Sequence, residues 1–154
     1  MKTSELIFKD IDNQHQVDIW YDLISKEPTM DSAHKEDWVG EHIYEIYYKN
    51  KLVGYISYSR WLDSYCLSCV YILSEHRHQG IATAAIRKLN FQLKGKGVCF
   101  YGFVHKDNLG AIVMYNKLGF KFLDSNRTGY IYDLPNQHCV MTEDYFYEFG
   151  KRLE

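Results

Sequence analysis

Apolar positions along this chain switch between a spacing of two and a spacing of three to four. Leu6 to Asp10 reads as a short strand. From about Asn13 to Ser25, Val17, Trp20 and Ile24 fall on one face, which predicts a helix that Asp12 can cap. Pro28 ends it, and a second, shorter helix is expected over Met30 to Val39. The strand-like runs Ile43 to Lys49 and Leu52 to Arg60 flank Asn50-Lys51, a two-residue hairpin connection in which Asn50 tolerates positive φ. Tyr65 to Leu73 is rich in apolar, β-branched and aromatic residues, as a largely buried strand is. Gly80 to Lys94 carries Ala82, Ala85, Ile86, Leu89 and Leu93 on one helical stripe, with Gly95 as the stop.

Val98 to Val104 is apolar at almost every position, the pattern of a strand covered on both faces in a parallel pair. Strand, helix and strand over about forty residues make a right-handed βαβ unit the natural topology. Leu109 to Leu118 follows as a short helix capped by Asp107 or Asn108 and ended by Gly119, and Phe120 to Leu123 starts another strand. Farther on, Gly129 to Asp133 and His138 to Thr142 look extended around a Pro135-Asn136 turn, and Glu143 to Lys151 is expected to form a final helical turn or two. The expected fold class is mixed α/β, a central twisted sheet flanked by helices, and no linker or repeat argues against one domain over residues 1–154.

Composition narrows the partners more than the fold. Charged residues at 25% and hydrophobic ones at 46% are ordinary for a globular chain. A formal net charge of −2 leaves no basic footprint for nucleic acid. No apolar stretch is long enough to span a bilayer and Met1 to Glu5 lacks a signal core, so a cytoplasmic protein without membrane contact is expected. Oligomeric state stays open, a homodimer included. Cys66-Leu67-Ser68-Cys69 matches C-x-x-C, but residues three apart on a strand point to opposite faces and no second pair completes a zinc site. Reduced, mostly buried thiols and no metal are expected of Cys66, Cys69, Cys99 and Cys139.

Two segments carry candidate chemistry. Arg77-His78-Gln79-Gly80-Ile81-Ala82 joins a strand to a helix start through a Gly, where unpaired N–H groups and the positive end of the helix dipole stabilise an anion. Alone, it is equally a plain helix start. The second segment is Asn108-Leu109-Gly110-Ala111-Ile112-Val113-Met114-Tyr115-Asn116-Lys117-Leu118-Gly119-Phe120. The first resembles the R/Q-x-x-G-x-G/A loop of the GCN5-related N-acetyltransferase superfamily, and the second resembles that family's N-x-x-A-x-x-x-Y-x-K-x-G-F segment.

The resemblance is close from Tyr65 to Leu123 and implies a sheet that splays between strands 65–73 and 98–104 to admit acetyl-coenzyme A. It implies pantetheine contacts at Val70, Tyr71 and Ile72. For the pyrophosphate it implies Arg77, His78, Gln79, Gly80, Ile81 and Ala82, chiefly through backbone N–H groups, with Thr83 adding its own. A protonated His76 or His78 would help hold phosphate, or both are exposed loop polarity. Asn108 matches a coenzyme-binding position and also suits a plain N-cap; Tyr115 matches the general acid that protonates the leaving thiolate. The implied reaction is direct acetyl transfer to an amine, the oxyanion being stabilised by a strand N–H such as that of Ile72.

An alkyl amine with a pKa of about 10.4 is protonated at neutral pH and must lose a proton before attack. Some protein-directed members carry a Glu five residues before the Asn, where this chain has Phe103. Glu41, His42, Glu45, His105 and ordered water are the remaining candidates. The expected acceptor is a primary amine of a small molecule; peptide or protein N-termini and lysines are the alternative, and a non-catalytic acyl-coenzyme A sensor is a third reading.

Overall fold

The computed structural model describes residues 2–27, 41–123 and 146–153. Among them seven strands pair in the order β1-β2-β3-β4-β5-β7-β6. They are β1 (Leu6–Asp10), β2 (His42–Tyr48), β3 (Lys51–Trp61), β4 (Ser64–Ile72), β5 (Cys99–His105), β6 (Lys121–Leu123) and β7 (Phe146–Arg152). Three helices accompany them: α1 (Gln14–Ile24), α2 (Ile81–Leu93) and α3 (Leu109–Lys117). The sheet is mixed: β1 with β2, β2 with β3, β5 with β7 and β6 with β7 are antiparallel, and β4 with β5 is parallel. The expected mixed α/β class is the observed one. The helix expected over Met30 to Val39, the extended segments 129–133 and 138–142, and Cys139 lie outside the described residues.

The chain divides into two compact units, residues 1–59 with 68–92, and residues 60–67 with 93–154. In the first, α1 buries Val17, Trp20 and Ile24 as the spacing predicts, and with Ile11, Tyr55 and Cys69 they form one apolar cluster. The cap is Asn13 rather than Asp12: its side chain accepts from Gln16 N at 2.9 Å, and Asn13 holds the extended backbone a cap needs. α2 buries Ile81, Ala84, Ala85, Ile86, Leu89 and Leu93, whereas Ala82 is only half-buried. The β2–β3 turn sits one residue earlier than expected. Lys49 and Asn50 both take positive φ, +51° and +65°, and Tyr48 pairs with Lys51. Two left-handed residues match the strand twist, so register overrides the poor fit of Lys to that conformation.

In the second unit the parallel ladder is short. Tyr65, Cys66 and Leu67 pair with Phe100, Tyr101 and Gly102. Phe149 fills the space a side chain at position 102 would need, since a Cβ there would lie 2.6 Å from the Phe149 ring. Phe149 belongs to β7, a strand over Phe146–Arg152 where the sequence suggested helical turns. The run Phe146-Tyr147-Glu148-Phe149-Gly150 combines strand-favouring aromatics with a helix-weakening Gly, and a full seven-residue ladder to β5 decides it. No disulfide links Cys66, Cys69 or Cys99. No described helix is long and apolar enough to cross a membrane.

Candidate active site

In the first unit β4 ends at Ile72, and a 3-10 turn, Ser74–His76, leads through Arg77 to Gly80 and into α2. His78 and Gly80 take positive φ, +63° and +81°. A Cβ on Gly80 would meet nothing within 4 Å, so the left-handed backbone, rather than space, demands Gly there. The Gly80 carbonyl accepts the first helical bond from Ala84 N at 3.0 Å. The N–H groups of Ile81, Ala82 and Thr83 therefore precede the helical ladder, beside the exposed His78, Gln79 and Gly80. With the helix dipole these N–H groups leave a locally positive field at the start of α2.

The Arg77 side chain is committed elsewhere. Its Nε donates to the Ile72 carbonyl at 2.8 Å, its Nη2 to Glu27 Oε1 at 2.9 Å, and its guanidinium lies 5.2 Å over the Tyr71 ring. The Tyr71 hydroxyl donates to the same Glu27 oxygen at 3.1 Å. The Arg77 hydrogen bond holds the Glu27 carboxyl below its ordinary range against the opposing effect of burial. Burial, then the Glu27 carboxylate, push the Tyr71 phenol up. Val70 and Tyr71 are half-buried and Ile72 is buried.

In the second unit Asn108 is the N-cap of α3, its Oδ1 accepting from Ala111 N at 3.2 Å. The cap uses only the oxygen and leaves the amide nitrogen out of it. α3 ends in paired bonds, Gly119 N to the Asn116 carbonyl and Phe120 N to the Tyr115 carbonyl, the Schellman arrangement that the Gly at 119 permits. Tyr115 is 5% exposed. Its ring stacks on Phe149 at 3.9 Å and 19°, and meets Phe120 edge-on at 5.6 Å. The ring is thereby held on two sides by side chains of two further segments.

The candidate bases separate by their partners. Glu45 accepts from the Trp20 indole at 3.0 Å and from Gln16 at 3.3 Å, which explains a carboxylate at 9% exposure as the partner of a buried indole. Glu41 is exposed, as is His42, which stacks on Tyr58 at 4.6 Å. His105 Nδ1 accepts from the Asp107 amide at 3.1 Å, so that nitrogen is engaged within its own turn. Asp107 Oδ2 stands 3.8 Å from the same nitrogen.

Two carboxylates escaped sequence reasoning. Glu27 follows the last turn of α1 and fits no motif; only its contacts reveal it. Glu148 is 1% exposed on β7, where its ladder partner on β5 is Phe103. Partners across an antiparallel ladder share a face, so this carboxylate lies beside Phe103 on one face of the sheet. Among the described residues no three His, Cys, Asp or Glu side chains gather as metal ligands.

With this geometry in hand, residues 11–120 match the model of the acetyltransferase (GNAT) family. The chain belongs to that family. As a GNAT protein it is an acyltransferase that uses acetyl-coenzyme A. Its fold is shared by a GNAT acetyltransferase from Elizabethkingia anophelis with acetyl-CoA bound, at 15% identity and TM-score 0.69 over 97% of this chain and 99% of that one. A GNAT acetyltransferase from Staphylococcus aureus Mu50 superposes with TM-score 0.70 at 14% identity, over 97% and 99%. Arabidopsis thaliana Naa50, in complex with the bisubstrate analogue CoA-Ac-MVNAL, gives 0.65 at 16% identity, over 96% and 98%. No curated protein matches this GNAT chain by sequence.

Proposed function

We propose that residues 1–154 work as one N-acetyltransferase domain that transfers the acetyl group of acetyl-coenzyme A directly to a primary amine of a small molecule. The observation that carries the catalytic part is the Tyr115 ring, fixed between Phe149 and Phe120 on a helix whose start is capped by Asn108. A phenol held in one orientation is suited to give its proton to a departing thiolate, because a general acid acts only within hydrogen-bond reach of the forming charge. The turn from Arg77 to Ala82 supplies N–H groups for the coenzyme's pyrophosphate, and Val70, Tyr71 and Ile72 supply the strand backbone for pantetheine. Asn108 retains an amide nitrogen for the coenzyme while its oxygen caps the helix.

The acceptor's ammonium proton needs a destination. Glu45 and His105 are occupied as described, so ordered water, or the Glu148 carboxylate on the Phe103 face, is the reading we favour. Protein N-termini are the second acceptor class. It is supported by two fold relatives at low identity: the Naa50 complex, and RimL, a ribosomal L7/L12 alpha-N-protein acetyltransferase.

Thiol release measured over a panel of amines, polyamines, aminoglycosides and peptides tests the acceptor, with small amines expected to outpace peptides. Tyr115→Phe should bind acetyl-coenzyme A as the parent does while kcat falls by about 10²- to 10⁴-fold, the usual worth of a general acid. An unchanged kcat would remove Tyr115 from the reaction. Release from no amine or peptide, despite coenzyme binding, would favour a sensor.

A further inference from the structure

The cluster formed by Glu27, Tyr71 and Arg77 has no part in the transfer chemistry, yet it sits at the entrance to the anion-binding turn. Three parts of the first unit meet in it: the chain just after α1, the end of β4, and the first residue of the turn. Arg77 is engaged on three sides. Its Nε holds the Ile72 carbonyl, its Nη2 holds Glu27 Oε1, and its cationic plane covers the Tyr71 ring. One carboxylate oxygen, Glu27 Oε1, receives both the guanidinium and the phenol. Charge-assisted bonds of this kind are the strong ones, and a planar guanidinium bound at two edges has a fixed orientation.

We infer that Glu27 is a positioning residue for the coenzyme: it locks Arg77 against the end of β4, so that the Arg77 side chain serves as a latch for the turn and not as a ligand of the pyrophosphate. The next residues include His78, a non-Gly residue at positive φ, and Gly80, and it is the shape of their backbone that aims the N–H groups of Ile81, Ala82 and Thr83. A turn with left-handed residues holds its form only when its surroundings impose it. Arg77 is the residue through which β4 and Glu27 impose that form. This inference rests on the coenzyme reading proposed above.

The two roles open to Arg77 predict opposite signs. If Arg77 were a phosphate ligand, Glu27 would compete for it, and Glu27→Gln would tighten acetyl-coenzyme A. If Arg77 is a latch, Glu27→Gln loosens the turn and weakens binding. Calorimetric titration of acetyl-coenzyme A into the full chain should show Kd rising about three- to tenfold in Glu27→Gln, in proportion to the loss of one partly exposed charge-assisted bond. KM for acetyl-coenzyme A should rise alike, with kcat within about twofold of the parent, a split that general loosening of the protein would not give. Arg77→Met should weaken binding at least as much, and the double variant no more than Arg77→Met alone, since both substitutions remove one interaction. Tighter or unchanged binding in Glu27→Gln, or additive losses in the double variant, would overturn the latch. Failure of the parent chain itself to bind acetyl-coenzyme A would overturn the coenzyme reading, and the latch with it.

Discussion

Glu27 gains its hydrogen bonds only when folded, and its acidity follows. Arg77 and Tyr71 favour the charged carboxyl, so the folded value lies below the ordinary 4.5. A depressed carboxyl contributes stability that is present above the unfolded value and is lost as pH falls through the folded one. The melting temperature of Glu27→Gln should therefore fall below the parent's at pH 7, and the gap should narrow as pH drops below 4.5 and through the lower folded value, where the parent's carboxyl protonates. Thermal melts of both proteins over pH 3 to 8 check this; a gap of constant size across that range would assign the loss to something other than the charge. Cys69 shows the opposite case. Burial pushes its thiol up to about 12, because apolar surroundings disfavour the charged thiolate.

At the scale of elements, periodicity located α1 and α2 because each buries one face, and burial writes itself into spacing. Its errors fell where a backbone choice outweighs side-chain pattern. The Lys49-Asn50 turn is set by the twist of β2 and β3, and Lys49 bears no mark of its left-handed conformation. Where a final helical turn is expected over Glu143 to Lys151, Phe146–Arg152 is a strand because β5 offers it a ladder seven residues long. That ladder is tuned at one point. Gly102 gives way to Phe149, and Phe149 stacks on Tyr115, so a methyl group at position 102 should disturb a ring two contacts away. Gly102→Ala should cost about 1–3 kcal/mol of stability, the range for overpacking a core, and should lower kcat more than it raises KM for the coenzyme. Denaturant melts together with steady-state kinetics measure both; a stable variant with parental kcat would show that Phe149 has room to move without disturbing Tyr115.

For the molecule as a whole, the donor was legible and the acceptor was not. Arg77 to Ala82 and Asn108 to Phe120 are contiguous segments whose backbone conformations need particular residues, so they survive as words in the sequence. Glu27, Glu148 and the faces around them come from separate segments, and no spacing joins Glu148 to Phe103 before β7 is laid beside β5. Binding of acetyl-coenzyme A to the native state alone stabilises the whole chain: at a hundred times Kd the gain is about 2.7 kcal/mol, or about 5–10 °C in melting temperature. A thermal-shift titration should show this rise with acetyl-coenzyme A and none with ATP at the same concentration.

Trp20 has an indole N–H fixed on Glu45, and its ring meets Tyr71 edge-on at 6.3 Å. Tyr71 in turn touches both Glu27 and Arg77. A natural fluorophore is thus wired, one aromatic ring removed, to the turn proposed to receive the coenzyme. With Trp38 and Trp61 replaced by Phe, the emission of Trp20 should report occupancy of that turn with no label attached.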